Sequence, residues 1–140
     1  MNELKVKTFG IPPSEILPGL FIGNIYDAGN PQFILENKIA TVLNVSNFIP
    51  KGFCPLVKYV WAPLAIPFDV NDAKRVSNFI ENEYFILGNR MLFHCHSGVD
   101  RSPAILYWLL NKRGEKNAYG LIEEKRPQIV HHEDWWSKVA

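Results

Sequence analysis

The chain has almost no cysteine: Cys54 and Cys95 are the only two in 140 residues. Two thiols exclude a disulfide framework and fit a reducing, cytoplasmic setting in which both stay free. Charge of one sign is also missing, since 15 Lys and Arg against 14 Asp and Glu leave a formal net charge of +1. Without a long like-charge run, neither a nucleic-acid coat nor an anionic membrane is the expected partner, and recognition of an anion has to be local. Long apolar runs are lacking too. The opening "MNELKVKTFGIPPSEILPG" has no signal-peptide core, and no segment approaches the roughly 20 residues of a membrane span. Nothing repeats at a fixed period, which excludes a solenoid.

What is present suits one compact domain over residues 1–140, expected to be monomeric, with 47% hydrophobic and 21% charged residues. Residues 1–13 mix charge with Gly10, Pro12 and Pro13 and read as an N-terminal arm. "GLFIGN" is strand-like, and "NPQFILENK" starts a helix at Pro31 with Phe33, Ile34 and Leu35 as inward candidates. "IATVLNVSN" is β-branched and apolar at its centre, the mark of a strand covered on both faces and the best candidate for the centre of the sheet. "VKYVWAPL" supplies another strand. A helix follows from about Ala73 to Leu87, capped by Asn71 or Asp72 and stopped by Gly88 and Asn89, with Val76, Phe79, Ile80 and Tyr84 at helical spacing.

"RMLFHCHSGVDRSPAILYWLL" then reads as a buried strand, a tight loop and a helix with Pro103 in its first turn and Gly114 past its end. Further helices are expected over Lys116–Lys125 and Glu133–Val139, separated at Pro127. The alternation predicts an α/β domain: a central, mostly parallel sheet of four to five strands flanked by helices in three layers. Ligands bind such sheets at the carboxyl ends of the strands, which is where Cys95 lies.

A loop leaving a buried strand and entering a helix turns several N–H groups to one point, and the helix dipole adds partial positive charge there. His96, Ser97, Gly98, Val99, Asp100 and Arg101 form this candidate phosphate-binding loop. Gly98 permits the turn, and the planar fork of Arg101 matches two oxygens of a phosphate. The same surroundings favour thiolate over thiol at Cys95, assisted by the Ser102 hydroxyl.

"HCHSGVDRS" matches the His-Cys, five residues, Arg-Ser signature and resembles the cysteine-dependent protein tyrosine phosphatases in their dual-specificity form. "ILPGLFIGNIYDAGNPQFILENKIATVLNVS", "FIENEYFILGNRMLFHC" and "EEKRPQIVHHEDWW" are similar to other parts of that domain, so the resemblance covers roughly residues 14 to 139. It implies hydrolysis of phosphomonoesters on tyrosine, serine or threonine of a phosphorylated protein, through a cysteinyl phosphate, with no metal and no cofactor. It makes Cys95 the nucleophile, Arg101 the oxyanion holder, His94 the support behind the thiolate and Ser102 the aid to its departure. A leaving group also needs a proton. The family takes it from an upstream aspartate, for which Asp69 in "IPFDVND" is the first candidate, with Asp72 and Asp100 as alternatives.

Asp100, directly before Arg101, resembles the Asp-Arg pair of lipid phosphatases, which keeps a phosphoinositide or RNA 5′-phosphate phosphatase as an alternative. A catalytically weak phosphate-binding module and a rhodanese-type sulfur carrier are the others. His94 and His96 with His131 and His132 suggest a metal site, set against by the opposite pointing of alternate strand residues. Glu133 and Asp134 read as helix N-terminal charge and Cys54 as a spectator thiol. Trp61, Trp108, Trp135 and Trp136 read as packing residues, and Lys112, Arg113, Lys125 and Arg126 as a solvated face.

Overall fold

The computed structural model describes residues 10–49, 53–65 and 69–130. Five strands form one sheet in the order β1-β2-β5-β3-β4: β1 Ser14–Leu17, β2 Leu20–Gly23, β3 Thr41–Asn44, β4 Lys58–Trp61 and β5 Met91–His94. Only the β1–β2 pair is antiparallel. The middle strand is β5, whereas the "IATVLNVSN" strand β3 lies beside it. Both are buried along their whole length, so composition could not tell them apart.

Alternation along the strands builds two cores. Leu43, Met91, Phe93 and Cys95 face one way and pack with Val76, Ile80, Ile105, Leu106 and Leu109. Val42, Phe21 and Leu92 face the other way, against Ala28, Ile34 and Ile39. The first face is covered by α3 (Val70–Ile80), α4 (Arg101–Lys112) and α5 (Ala118–Lys125), and the second by the short α1 (Ile25–Ala28) and α2 (Pro31–Glu36). This is the three-layer arrangement expected.

The short helices exist because their ends are satisfied. Asn24 accepts the Tyr26 and Asp27 amides while Asp27 accepts the Asn24 amide, a reciprocal box at the start of α1. Asn30 caps α2 ahead of Pro31. Of the inward candidates on α2, Ile34 is buried and Phe33 packs edge-to-face on Phe21, but Leu35 is exposed, because it falls on the other side of so short a helix.

The next helix departs from the sequence reading at both ends. It begins at Val70, and its cap is Asp69 rather than Asn71 or Asp72: with extended backbone, Asp69 accepts the Asn71 and Asp72 amides at 2.8 and 3.2 Å. Asp72 instead pairs with Arg75 one turn on. After Ile80 the helix widens into a π-helical stretch, Glu81–Ile86. The wider turn directs Glu83 inward, where it accepts from Lys58 Nζ at 2.9 Å and Thr41 Oγ1 at 3.2 Å.

Ile11 is buried, so the end of the expected arm already packs on the domain. Trp61 is half exposed at the edge strand and donates to the Ser46 carbonyl, so of the expected roles it has packing at the surface and not burial in the core. Residues 1–9 of the arm, His131, His132, Glu133, Asp134, Trp135, Trp136 and the expected final helix lie outside the described residues. Among the described residues, no helix is long and apolar enough to cross a membrane.

Candidate active site

Strand β5 ends at His94, and α4 begins at Arg101, so Cys95 to Asp100 form a loop at the carboxyl edge of the sheet. Cys95 is buried at its base. Its sulfur accepts from the Gly98 amide at 3.2 Å and the Ser102 hydroxyl at 3.4 Å.

The loop's carbonyls show why its amides turn inward. His96 O accepts from the Ile25 amide at 3.0 Å, Val99 O from the Val130 amide at 2.6 Å, and Gly98 O from Arg126 Nε at 2.7 Å. Two segments distant in sequence, one at Ile25 and one at Arg126 to Val130, therefore hold the acceptors, and the opposite side of each peptide is left to line the cup. Gly98 makes the reversal at φ 77°, where a side chain is strained, and a Cβ there would also run into the Gly23 carbonyl oxygen.

Arg101 stands at the first position of α4, and its Nε is buried with no hydrogen-bond partner among the described residues. A buried, unpaired guanidinium N–H at a helix N-terminus is a donor available to an acceptor that enters the loop. Asp100 caps that helix by accepting the Arg101 amide, and its Oδ1 lies 3.9 Å from the Cys95 sulfur. The carboxylate thus belongs to the wall of the cup.

His94 points to the sheet face opposite Cys95 and hydrogen-bonds through Nδ1 to the Cys95 carbonyl oxygen at 3.0 Å. Burial pushes its pKa down to about 4, so the ring is neutral at working pH, Nδ1 carries the proton and Nε2 is bare. The His96 ring packs on Phe48 at 4.9 Å. No cluster among the described residues has the donor set of a metal site.

The two upstream acid candidates lie apart from this centre in sequence and bonding, Asp69 on its helix cap and Asp72 beside Arg75. A groove of about 530 Å³ between β4 and α3 is lined by Trp61, Pro63, Asp72, Arg75 and Phe79, and Cys95 has no part in it.

Sequence reasoning missed one residue of this site. Arg126, assigned to a solvated face, is completely buried against the loop. Its place in "EEKRPQ" looks like that of any terminal basic residue of a helix, and no local pattern marks a partner 28 positions upstream.

No family model matches the chain. Among curated proteins it is 32% identical over 125 residues to the human dual specificity protein phosphatase 5, a match covering 84% of this chain and 32% of that protein. The chain spans about a third or less of the length of the first curated relatives it matches. Among solved structures, a mouse putative dual specificity phosphatase complexed with zinc tungstate superposes with a TM-score of 0.80 at 24% identity, covering 91% of this chain and 84% of that one. The human tyrosine phosphatase-like serine/threonine/tyrosine-interacting protein does so at 0.78 and 21% identity, covering 91% of this chain and 92% of that one. With its relatives, its fold and its Cys95-to-Arg101 loop in agreement, the chain belongs to the dual-specificity protein phosphatase family.

Proposed function

We propose that the chain hydrolyses phosphomonoesters on tyrosine, serine or threonine side chains of phosphorylated proteins through a phosphorylated Cys95. The observation that carries this is the pair of donors on the sulfur, Gly98 N–H at 3.2 Å and Ser102 Oγ at 3.4 Å, beneath a loop whose His96, Gly98 and Val99 carbonyls are held by other segments. In the first step the Cys95 sulfur attacks phosphorus and the alcohol or phenol oxygen leaves with a proton. In the second, water displaces the thiolate, which takes back the Ser102 hydrogen bond. Arg101 and the amides of His96 to Arg101 hold the non-bridging oxygens in both steps. His94 orients the loop from the far face through the Cys95 carbonyl. Neither step needs a metal or cofactor. The curated relatives are protein phosphatases, which favours a phosphoprotein over a lipid or RNA phosphate as substrate.

Asp69 is the proposed proton donor. It follows β4, whose carboxyl end opens on the same sheet edge as Cys95, and a donor must stand across the phosphorus from the sulfur. Asp100, 3.9 Å from the sulfur, is on the nucleophile's side. Acting as a donor, Asp69 would leave its helix cap. Two buried, unpaired thiols agree with work in a reducing compartment such as the cytoplasm.

Turnover of phenyl phosphate and of a phosphotyrosine peptide tests this reading. Cys95→Ser is expected to abolish turnover. Asp69→Asn is expected to lose about 10²-fold together with the basic limb of the pH profile, while Asp100→Asn keeps that limb. A fully active Cys95→Ser enzyme rules the mechanism out, and an unchanged Asp69→Asn profile moves the acid elsewhere.

A further inference from the structure

Arg126 is the bulkiest fully buried side chain among the described residues, and its side-chain hydrogen bonds go to the Cys95-to-Arg101 loop and to the segment at Pro12 and Ser14. Nε donates to Gly98 O at 2.7 Å, and Nη1 donates to Pro12 O at 2.8 Å and Ser14 Oγ at 2.9 Å. Nη2 is buried without a hydrogen-bond partner among the described residues, and lies 2.7 Å from the point a Cβ on Gly98 would occupy. The guanidinium therefore fills the space beside the Gly98 Cα.

The two peptide groups flanking that Cα have opposite duties. One gives its carbonyl to Arg126, and the other aims its N–H at the Cys95 sulfur. The two share the Gly98 Cα, and the filled space beside it restricts how far the second can turn once the first is held.

Charge adds to geometry. A guanidinium keeps its proton in proteins, and a buried cation is costly unless negative groups answer it. Among the described residues no carboxylate forms an ion pair with Arg126. Burial lowers its pKa, and the negative groups acting against that are Asp27 first and Cys95 second. Asp27 is itself raised by burial, held down by its bond from the Asn24 amide and then by Arg126.

We propose that Arg126 is a positioning residue for the nucleophile: it pins the peptide that follows Gly98, next to the one whose N–H donates to the sulfur, and its buried charge favours thiolate over thiol at Cys95. The inference rests on reading Cys95 as the nucleophile. Around that sulfur the other groups that act are the Ser102 hydroxyl, the Asp100 carboxylate at 3.9 Å, and Arg101 at the helix start. His94, neutral and on the far face, contributes no charge. Asp27 acts on the sulfur from behind Arg126, by partly cancelling its field.

The test is the rate of iodoacetamide alkylation of Cys95 against pH, in the full chain carrying Cys54→Ser so that one thiol reports. Arg126→Met is expected to move the midpoint of the profile up by about one pH unit. Arg126→Lys keeps the charge and loses the fork, so its midpoint stays near that of the parent while kcat for phenyl phosphate falls about tenfold. Asp27→Asn retains an acceptor for the Asn24 amide and removes the counter-charge, so its midpoint moves down. These opposite shifts are not what a purely structural arginine produces. A cooperatively melting Arg126→Met protein whose midpoint coincides with that of the parent overturns the proposal. Where that variant does not fold, an unmoved midpoint in Asp27→Asn overturns it instead. Alkylation needs no turnover, so a chain that shows the shifts but cleaves no phosphomonoester would sink the proposed function and leave this inference standing.

Discussion

At position 98 two independent constraints fall on one residue. The backbone has φ 77°, and the volume where a side chain would start is already taken by the Gly23 carbonyl and the Arg126 guanidinium. Either constraint alone is tolerated in many proteins at the cost of small shifts, but here the strained φ remains even where the neighbours give way. Gly98→Ala is therefore expected to open the cup while leaving the sheet intact. Since the Gly98 amide donates to the sulfur at 3.2 Å, loss of its aim should cost about 10²-fold or more in kcat/KM, the scale of removing one oxyanion-hole donor. Phosphotyrosine-peptide kinetics beside a circular-dichroism spectrum check this; a folded and fully active Gly98→Ala protein contradicts it. Cys95, Gly98 and Arg101 were legible in sequence because they are contiguous and each has a chemistry that few residues share. The Ile25, Arg126 and Val130 groups that hold the loop's carbonyls were not, since two of them act through backbone amides that carry no side-chain signature.

The elements show the same division between local and tertiary causes. Strand β5, helix α4 and the turn at Gly88 follow from apolar runs, Pro103 and glycine, all of which act within a few residues. The widening of the helix after Ile80 does not. "ENEYFI" is compatible with an ordinary α-helix, and what separates the two outcomes is a partner on another strand: Glu83 is buried and accepts from Lys58 and Thr41. A carboxylate in that position is stabilised by those donors, chiefly Lys58, which hold its pKa below the usual 4.5 against the effect of burial. A depressed folded-state value contributes stability that is complete above the unfolded value and disappears as pH falls through the folded one. Glu83→Gln should therefore lower stability by about 1–2 kcal/mol at pH 7. The gap between parent and variant should narrow once the pH passes below 4.5. Urea unfolding of both proteins from pH 7 to pH 3 measures the gap, and a gap that is constant over that range contradicts the assignment of the charge to Glu83.

Over the whole molecule the catalytic loop is where the chain's distant parts meet. The segment at Pro12 and Ser14 reaches it through Arg126, the β2-to-α1 junction through Ile25 N–H on His96 O, and the segment after α5 through Val130 N–H on Val99 O. These contacts cross the domain from its first described residues to its last. An anion that fills the cup consequently tightens a junction on which the global fold depends, and its binding free energy should appear as stability of the whole domain rather than of the loop. Tungstate is a suitable probe, being tetrahedral, doubly negative and unable to be hydrolysed. At 100 times its dissociation constant it should stabilise the native state by about 2.7 kcal/mol, a rise in Tm of roughly 10 °C for a domain of this size, in one cooperative transition. Arg101→Met should reduce the rise to a small fraction, because the buried unpaired Nε is the donor the anion completes. Cys95→Ser should keep most of it, since the loop amides remain. Scanning calorimetry with and without tungstate decides the matter: an equal rise in the Arg101→Met protein would place the anion outside the cup, and a separate low-temperature transition would show that the loop melts apart from the fold it joins.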